Sequence, residues 1–311
     1  MWSRARILPA GAGILVAALL TSACHGSPAA RPSAGATSAV PGASAGPASP
    51  AANAVAGPVV ALGDSYTAGA LLPMDPQAKP PGCLRSAKAY PVLVAAALHA
   101  PLTDAACASA GVKNMTEAQP TYLGTNPAQL SVLTPDDGIV LLTLSGDDMG
   151  FLNVLQECVK LSFTHPWGSP CRAHYGDSAS AQVAAESAKM TLVLRDIAAR
   201  APRARIVVVG YPDMFPQSGG CWPRVPITSG DIAYLRGIEF QVNAMLAAVA
   251  QSAGATFVDT YTPTIGHDFC KPESVRDVEG LVPGSLALPF HPNARGQAAI
   301  AAAVLTALRR S

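Results

Sequence analysis

The chain has 311 residues, of which 50% are apolar and only 13% charged, and its formal net charge is +1. That balance excludes a nucleic-acid partner, whose phosphates demand a strongly basic face, while the length and apolar share allow a sizeable buried core. Seven cysteines are an odd number, so in an exported protein one of them needs a separate fate.

In chain order, Arg4 and Arg6 precede an apolar stretch over residues 7–20, and Thr21, Ser22 and Ala23 precede Cys24. The stretch is shorter than the ~20 residues that cross a bilayer. Residues 1–23 therefore read as a cleaved signal peptide. Leu20 to Cys24 also resembles a bacterial lipobox, with Thr21 where that motif usually has Leu. Lipidation of Cys24 then anchors the protein to the outer side of the cell membrane, with free secretion as the alternative. Cleavage removes two arginines and no acid, taking the formal charge from +1 to −1.

Residues 24–57 are almost only Ala, Pro, Gly and Ser. Such a composition cannot bury enough apolar area to order itself, and it reads as a disordered linker with a reach of ~30 Å. The remainder, 58–311, is one domain in which short β-branched runs alternate with Ala-rich helical stretches. Strands are expected at 59–62, 102–106, 139–144, 206–209 and 256–259. Helices are expected at 90–99, 150–161, 180–200, 230–253 and 293–309, and 162–177 reads as a stapled loop. The expectation is a flavodoxin-like, three-layer α/β/α fold with a five-stranded parallel sheet of order 2-1-3-4-5. In that order the connections leave the first and third strands in opposite directions, and the crevice between them is the default ligand site.

With Cys24 lipidated, six cysteines remain, enough for three disulfides in an oxidising compartment. Six allow fifteen pairings; the shortest loops join Cys83 to Cys107, Cys158 to Cys171 and Cys221 to Cys270. No C-x-x-C or H-E-x-x-H spacing occurs, so neither a metal nor another cofactor is expected.

The chemistry centres on Gly63-Asp64-Ser65-Tyr66, directly after the apolar run from Val59 to Leu62. A serine on a tight turn at the end of a buried parallel strand is where an α/β fold exposes a nucleophile. It needs a base. His25 falls in the linker, His99 in a helix, and His165 and His174 in the stapled loop, where they could line a substrate cleft. His267 lies in Gly266-His267-Asp268, beside a cysteine. His291 is the choice, because Pro292 fixes its turn and the last helix begins just after it.

These blocks resemble those of the SGNH (GDSL) hydrolases, in particular secreted actinobacterial lipases and esterases with three disulfides. The resemblance is carried by Gly63 to Gly69, Asp148 to Phe151, Thr260 to Pro263, Gly266 to Asp268 and His291 to Gly296. It implies Ser65 as nucleophile, His291 as general base, and an oxyanion hole of three donors. The first donor is the Ser65 N–H. The second is a backbone N–H at Ser109 or Gly111. The third position, usually Asn, holds Asp147. An ionised Asp147 cannot donate a hydrogen bond, whereas a protonated one can. The acid usually found three residues before the histidine is replaced by Leu288. The Leu288 carbonyl, or one beside it, is then expected to orient His291, with Asp268 as the competing orienter. The function so implied is an extracytoplasmic serine esterase or lipase, a monomer acting on small-molecule or lipid esters. The alternatives are an envelope lipoprotein that binds acylated ligands with weak or no activity, and an acyltransferase on envelope glycans.

Overall fold

The computed structural model describes residues 57–310. The signal peptide, Cys24 and nearly all of the linker lie outside the described residues. Val59–Gly63 forms β1, whose five residues are all buried, as expected of a strand covered on both faces. Leu102–Asp104 forms β2, Gln119–Thr121 and Gly124–Asn126 form an antiparallel hairpin, β3 and β4, and Ile139–Thr143 forms β5. Arg205–Val209 is β6 and Thr256–Val258 is β7. The parallel sheet has the order β2-β1-β5-β6-β7, which is the expected 2-1-3-4-5 once the hairpin is set aside. Its central register pairs Val59 with Ile139 and Gly63 with Thr143.

The helices are Ser65–Ala68 (α1), Tyr90–Ala97 (α2), Phe151–Thr164 (α3), Pro170–Tyr175 (α4), Ser178–Arg200 (α5), Ser229–Ser252 (α6) and Ala294–Arg309 (α7). Alternation along the strands divides the core. Val60, Leu62, Val140, Leu142 and Val208 face α3, α5 and α6. Val59, Ile139, Leu141, Val207 and Val209 face α2 and α7. The chain thus leaves β1 towards one face and β5 towards the other, opening a crevice between their carboxyl ends.

Three differences from the sequence reading concern local structure. The stretch 162–177 is not one loop, since α3 runs on to Thr164 and α4 occupies Pro170–Tyr175. The β3–β4 hairpin was not foreseen, because Pro120 breaks any strand pattern over its three-residue arms. α1 was also missed, being a single turn too short to show periodicity. The cysteines join as the shortest loops suggest, Cys83 to Cys107, Cys158 to Cys171 and Cys221 to Cys270.

Two buried glutamines brace the end of β1. Gln129 accepts the Gly63 N–H (2.7 Å) and donates to the Gly63 carbonyl (2.9 Å). Gln297 of α7 accepts the Tyr90 N–H (2.7 Å) and donates to the Tyr66 carbonyl (3.0 Å). Gly63 itself has φ 130°, and a Cβ there would lie 2.1 Å from the Thr143 carbonyl oxygen. Only glycine permits this approach of β1 to β5. Replacing Gln129 by Leu leaves a buried backbone N–H unmet, and urea denaturation is expected to show a loss of about 1–3 kcal/mol.

Candidate active site

The crevice is lined by Ser65, Tyr66, Ser109, Asp147, Tyr211 and His291, together with an apolar wall. Its empty volume is about 710 Å³, open solvent at the mouth included. Ser65 opens α1, and the Asp64 side chain caps that helix by accepting the Tyr66 N–H at 2.9 Å. The turn thereby aims the Ser65 side chain out of the sheet edge. His291 arrives from the other end of the chain on the turn before α7. That turn is fixed by Asn293, whose Oδ1 accepts the N–H groups of Arg295 and Gly296 while its Nδ2 donates to the Arg276 carbonyl and Glu279.

Ser65 Oγ and His291 Nε2 lie 2.7 Å apart although 226 residues separate them in sequence. His291 Nδ1 donates to the carbonyl of Pro289 at 2.8 Å. This fixes the tautomer, leaving Nε2 as the acceptor for the Ser65 hydroxyl. The orienting carbonyl therefore belongs to Pro289 and not to Leu288, whose carbonyl instead takes the His291 backbone N–H. Phe290, between them, is held at φ 60°, and this left-handed turn directs the Pro289 carbonyl at the ring. Its own carbonyl receives the Tyr66 hydroxyl at 2.7 Å. The Tyr66 ring also packs against the imidazole, with centroids 4.7 Å apart. Burial pulls the His291 pKa down to about 4, against a smaller upward pull from the Pro289 carbonyl. The ring is thus neutral through ordinary pH.

Asp268 does not compete as orienter. It is buried, with Oδ1 accepting the Cys270 N–H and Oδ2 3.5 Å from Lys271. The other histidines among the described residues do not line the cleft. His267 Nδ1 donates to the Val275 carbonyl, His165 contacts Thr164, and His174 packs on Tyr175. Neither His165 nor His174 lines the cavity.

Between the two candidates for the second donor, the geometry is selective. Gly111 does not line the cleft, and its N–H is taken by Asn114 Oδ1 at 3.0 Å. The Asp148 carboxylate lies close by, accepting the Val112 N–H at 2.8 Å, and a Cβ on Gly111 would meet it at 2.9 Å. Ser109 does line the cleft, in a left-handed conformation (φ 63°). Asp147 sits at the cleft mouth, its pKa raised to about 6 by desolvation first and by the Asp148 charge second.

Two further residues, Asp64 and Tyr211, escaped the sequence reading. Asp64 is fully buried, and Tyr211 donates to its Oδ2 at 2.9 Å while accepting the Gly146 N–H at 2.9 Å. Desolvation, then the Asp147 charge, pushes the Asp64 pKa well up. Position after β6 was the only available signal for Tyr211, and a lone tyrosine there carries no motif.

A serine paired with a histidine at the switch point of a 2-1-3-4-5 sheet is the arrangement of the SGNH class of hydrolases, here with a peptide carbonyl in place of the usual acid. The sequence model of the GDSL-like Lipase/Acylhydrolase family matches residues 61–299, and the chain belongs to that family. It is 37% identical to Lipase 2 of Streptomyces coelicolor over 244 residues, 76% of this chain and 81% of that one. Among solved structures, phospholipase A1 from Streptomyces albidoflavus superposes with a TM-score of 0.68 at 28% identity, covering 82% of this chain and 99% of that one. An extracellular lipase from Streptomyces rimosus gives a TM-score of 0.68 at 27% identity, covering 81% and 100%. The chain is a carboxylic ester hydrolase of this family.

If His291 is the base and Asp147 an oxyanion donor, the two shifted groups set opposite limits on turnover. Protonation of His291 removes the base as pH falls through about 4, and ionisation of Asp147 removes a donor as pH rises through about 6. The kcat/KM profile is expected to peak between these values and to fall by up to ~10²- to 10³-fold on the alkaline side. Asp147→Asn should abolish that alkaline fall in an ester assay across pH. Asp268→Asn, by contrast, should leave kcat within about two-fold, since a group outside hydrogen-bond reach of the base does not orient it.

Proposed function

We propose that the protein is an extracytoplasmic serine esterase or lipase that cleaves carboxylic esters through an acyl-enzyme on Ser65. The observation that carries this reading is the 2.7 Å contact of Ser65 Oγ with His291 Nε2 on the wall of an apolar cleft. Ser65 Oγ attacks the ester carbonyl and its proton passes to Nε2. The resulting oxyanion turns towards the N–H groups of Ser65 and Ser109 and, when protonated, towards Asp147. Collapse expels the alkoxide, which takes the proton from His291. Water, deprotonated by the same nitrogen, then attacks the acyl carbonyl and frees Ser65. The Pro289 carbonyl holds the ring throughout.

In this reading Cys24 bears the lipid and residues 24–57 hold the enzyme off the outer face of the cell membrane, where a single domain acts as a monomer. The odd cysteine count and the three disulfides of the remaining six support an oxidising location. The named relatives are lipases and esterases, which favours hydrolysis over binding alone or transfer to glycans.

A fluorophosphonate probe should add one phosphonyl group to the intact protein and none to Ser65→Ala, as read by mass spectrometry. The same variant should hydrolyse p-nitrophenyl esters at least ~10³-fold more slowly than the wild type. Equal rates from the two proteins would overturn the reading.

A further inference from the structure

The cleft beside Ser65 has a wall of apolar side chains, among them Phe151, Leu155, Met214 and Val242, and Glu239 of α6 interrupts it. Glu239 is only 3% exposed. Its Oε1 accepts the Met214 N–H at 3.1 Å, while Oε2 is buried and has no hydrogen-bond partner among the described residues. Desolvation, followed by the charge of Asp213, pushes its pKa well up, against weaker opposing pulls from the Met214 N–H and then from Arg236. Burial and the nearby Asp213 therefore favour its protonated form. With Oε1 acting as the carbonyl-like acceptor, the proton falls on Oε2 and has nothing to bond. Packing does not call for an acid here, because leucine fills similar volume without a desolvation cost. A buried donor left unmet beside a reactive centre is a group waiting for a ligand atom.

We propose that Glu239 is a specificity-determining residue whose free oxygen donates a hydrogen bond to an oxygen atom within the substrate's acyl chain, so that the site prefers esters of hydroxy, oxo or ether-containing acids to plain alkanoates. This deepens the serine hydrolase reading given above and rests on it. The acyl rather than the alcohol part is the one seated, because it stays bound to Ser65 through the second half of the reaction, whereas the alcohol must leave. Glu239 is close enough to Tyr66, the residue after Ser65, for the two side chains to interact electrostatically. A buried site built to meet such an atom penalises the analogue lacking it, since its own donor is then left unmet.

The test uses p-nitrophenyl octanoate and a series in which an ether oxygen replaces, one at a time, each methylene beyond the β-carbon. Each kcat/KM is divided by the rate of alkaline hydrolysis of the same ester. The wild type should favour one member over octanoate by about ten-fold or more. Glu239→Gln, whose amide donates in place of the acid, should keep that preference, and Glu239→Leu should lose it. A flat series in the wild type overturns the proposal without any variant, as does a preference unchanged in a folded Glu239→Leu. Octanoate turnover that needs Ser65, combined with a flat series, sinks this inference and leaves the hydrolase reading standing. If no ester shows turnover that Ser65→Ala abolishes, both fall together.

Discussion

The site depends on one buried carboxyl group. Asp64 holds the Tyr66 N–H with one oxygen and the Tyr211 hydroxyl with the other, and Tyr211 in turn takes the Gly146 N–H. Three turns, following β1, β5 and β6, are thereby tied to a single point. Because the group is wholly buried, its bonds are formed in a low dielectric, where they are stronger and where losing one is more costly. The serine, the cleft mouth and the tyrosine wall cannot shift independently of one another. Pre-positioning of this kind is what a reaction that proceeds by orientation and charge stabilisation requires.

Much of this was legible in the sequence. The strand order followed from short continuous apolar runs alternating with Ala-rich stretches of helical length, and the pairing of Ser65 with His291 from several motif blocks in a fixed order. What stayed hidden was local geometry. The choice between Ser109 and Gly111 turned on which N–H Asn114 already occupied, and no spacing encodes that. The sequence left the orienting carbonyl to Leu288 or a neighbour, and the left-handed turn at Phe290 selects that neighbour, Pro289. Short elements were missed for another reason. α1 and the β3–β4 hairpin are too brief for periodicity, and their formation follows from tertiary contacts rather than from intrinsic preference.

The cleft also concentrates protonatable groups without pairing them. Asp64, Asp147 and Glu239 all line it, all are pushed towards the neutral form by burial, and the imidazole among them is pushed towards neutrality in the other direction. Desolvation is the first cause in each case, which means that the shape of the cavity, and not a particular ion pair, governs their states. Between about pH 4 and 6 such a cleft presents a protonated Asp147 and a neutral imidazole to an uncharged ester.

The partner of the imidazole is a peptide oxygen, that of Pro289. Every amino acid supplies such an oxygen, so no single codon change can delete it; what heredity must preserve is the path of the main chain. That relieves the position three residues before the histidine of any obligation to remain acidic, and leaves leucine free to stand there as part of the apolar lining. The orienting group is also indifferent to acidity, since an amide oxygen keeps its lone pairs across the whole range in which carboxylates gain and lose protons.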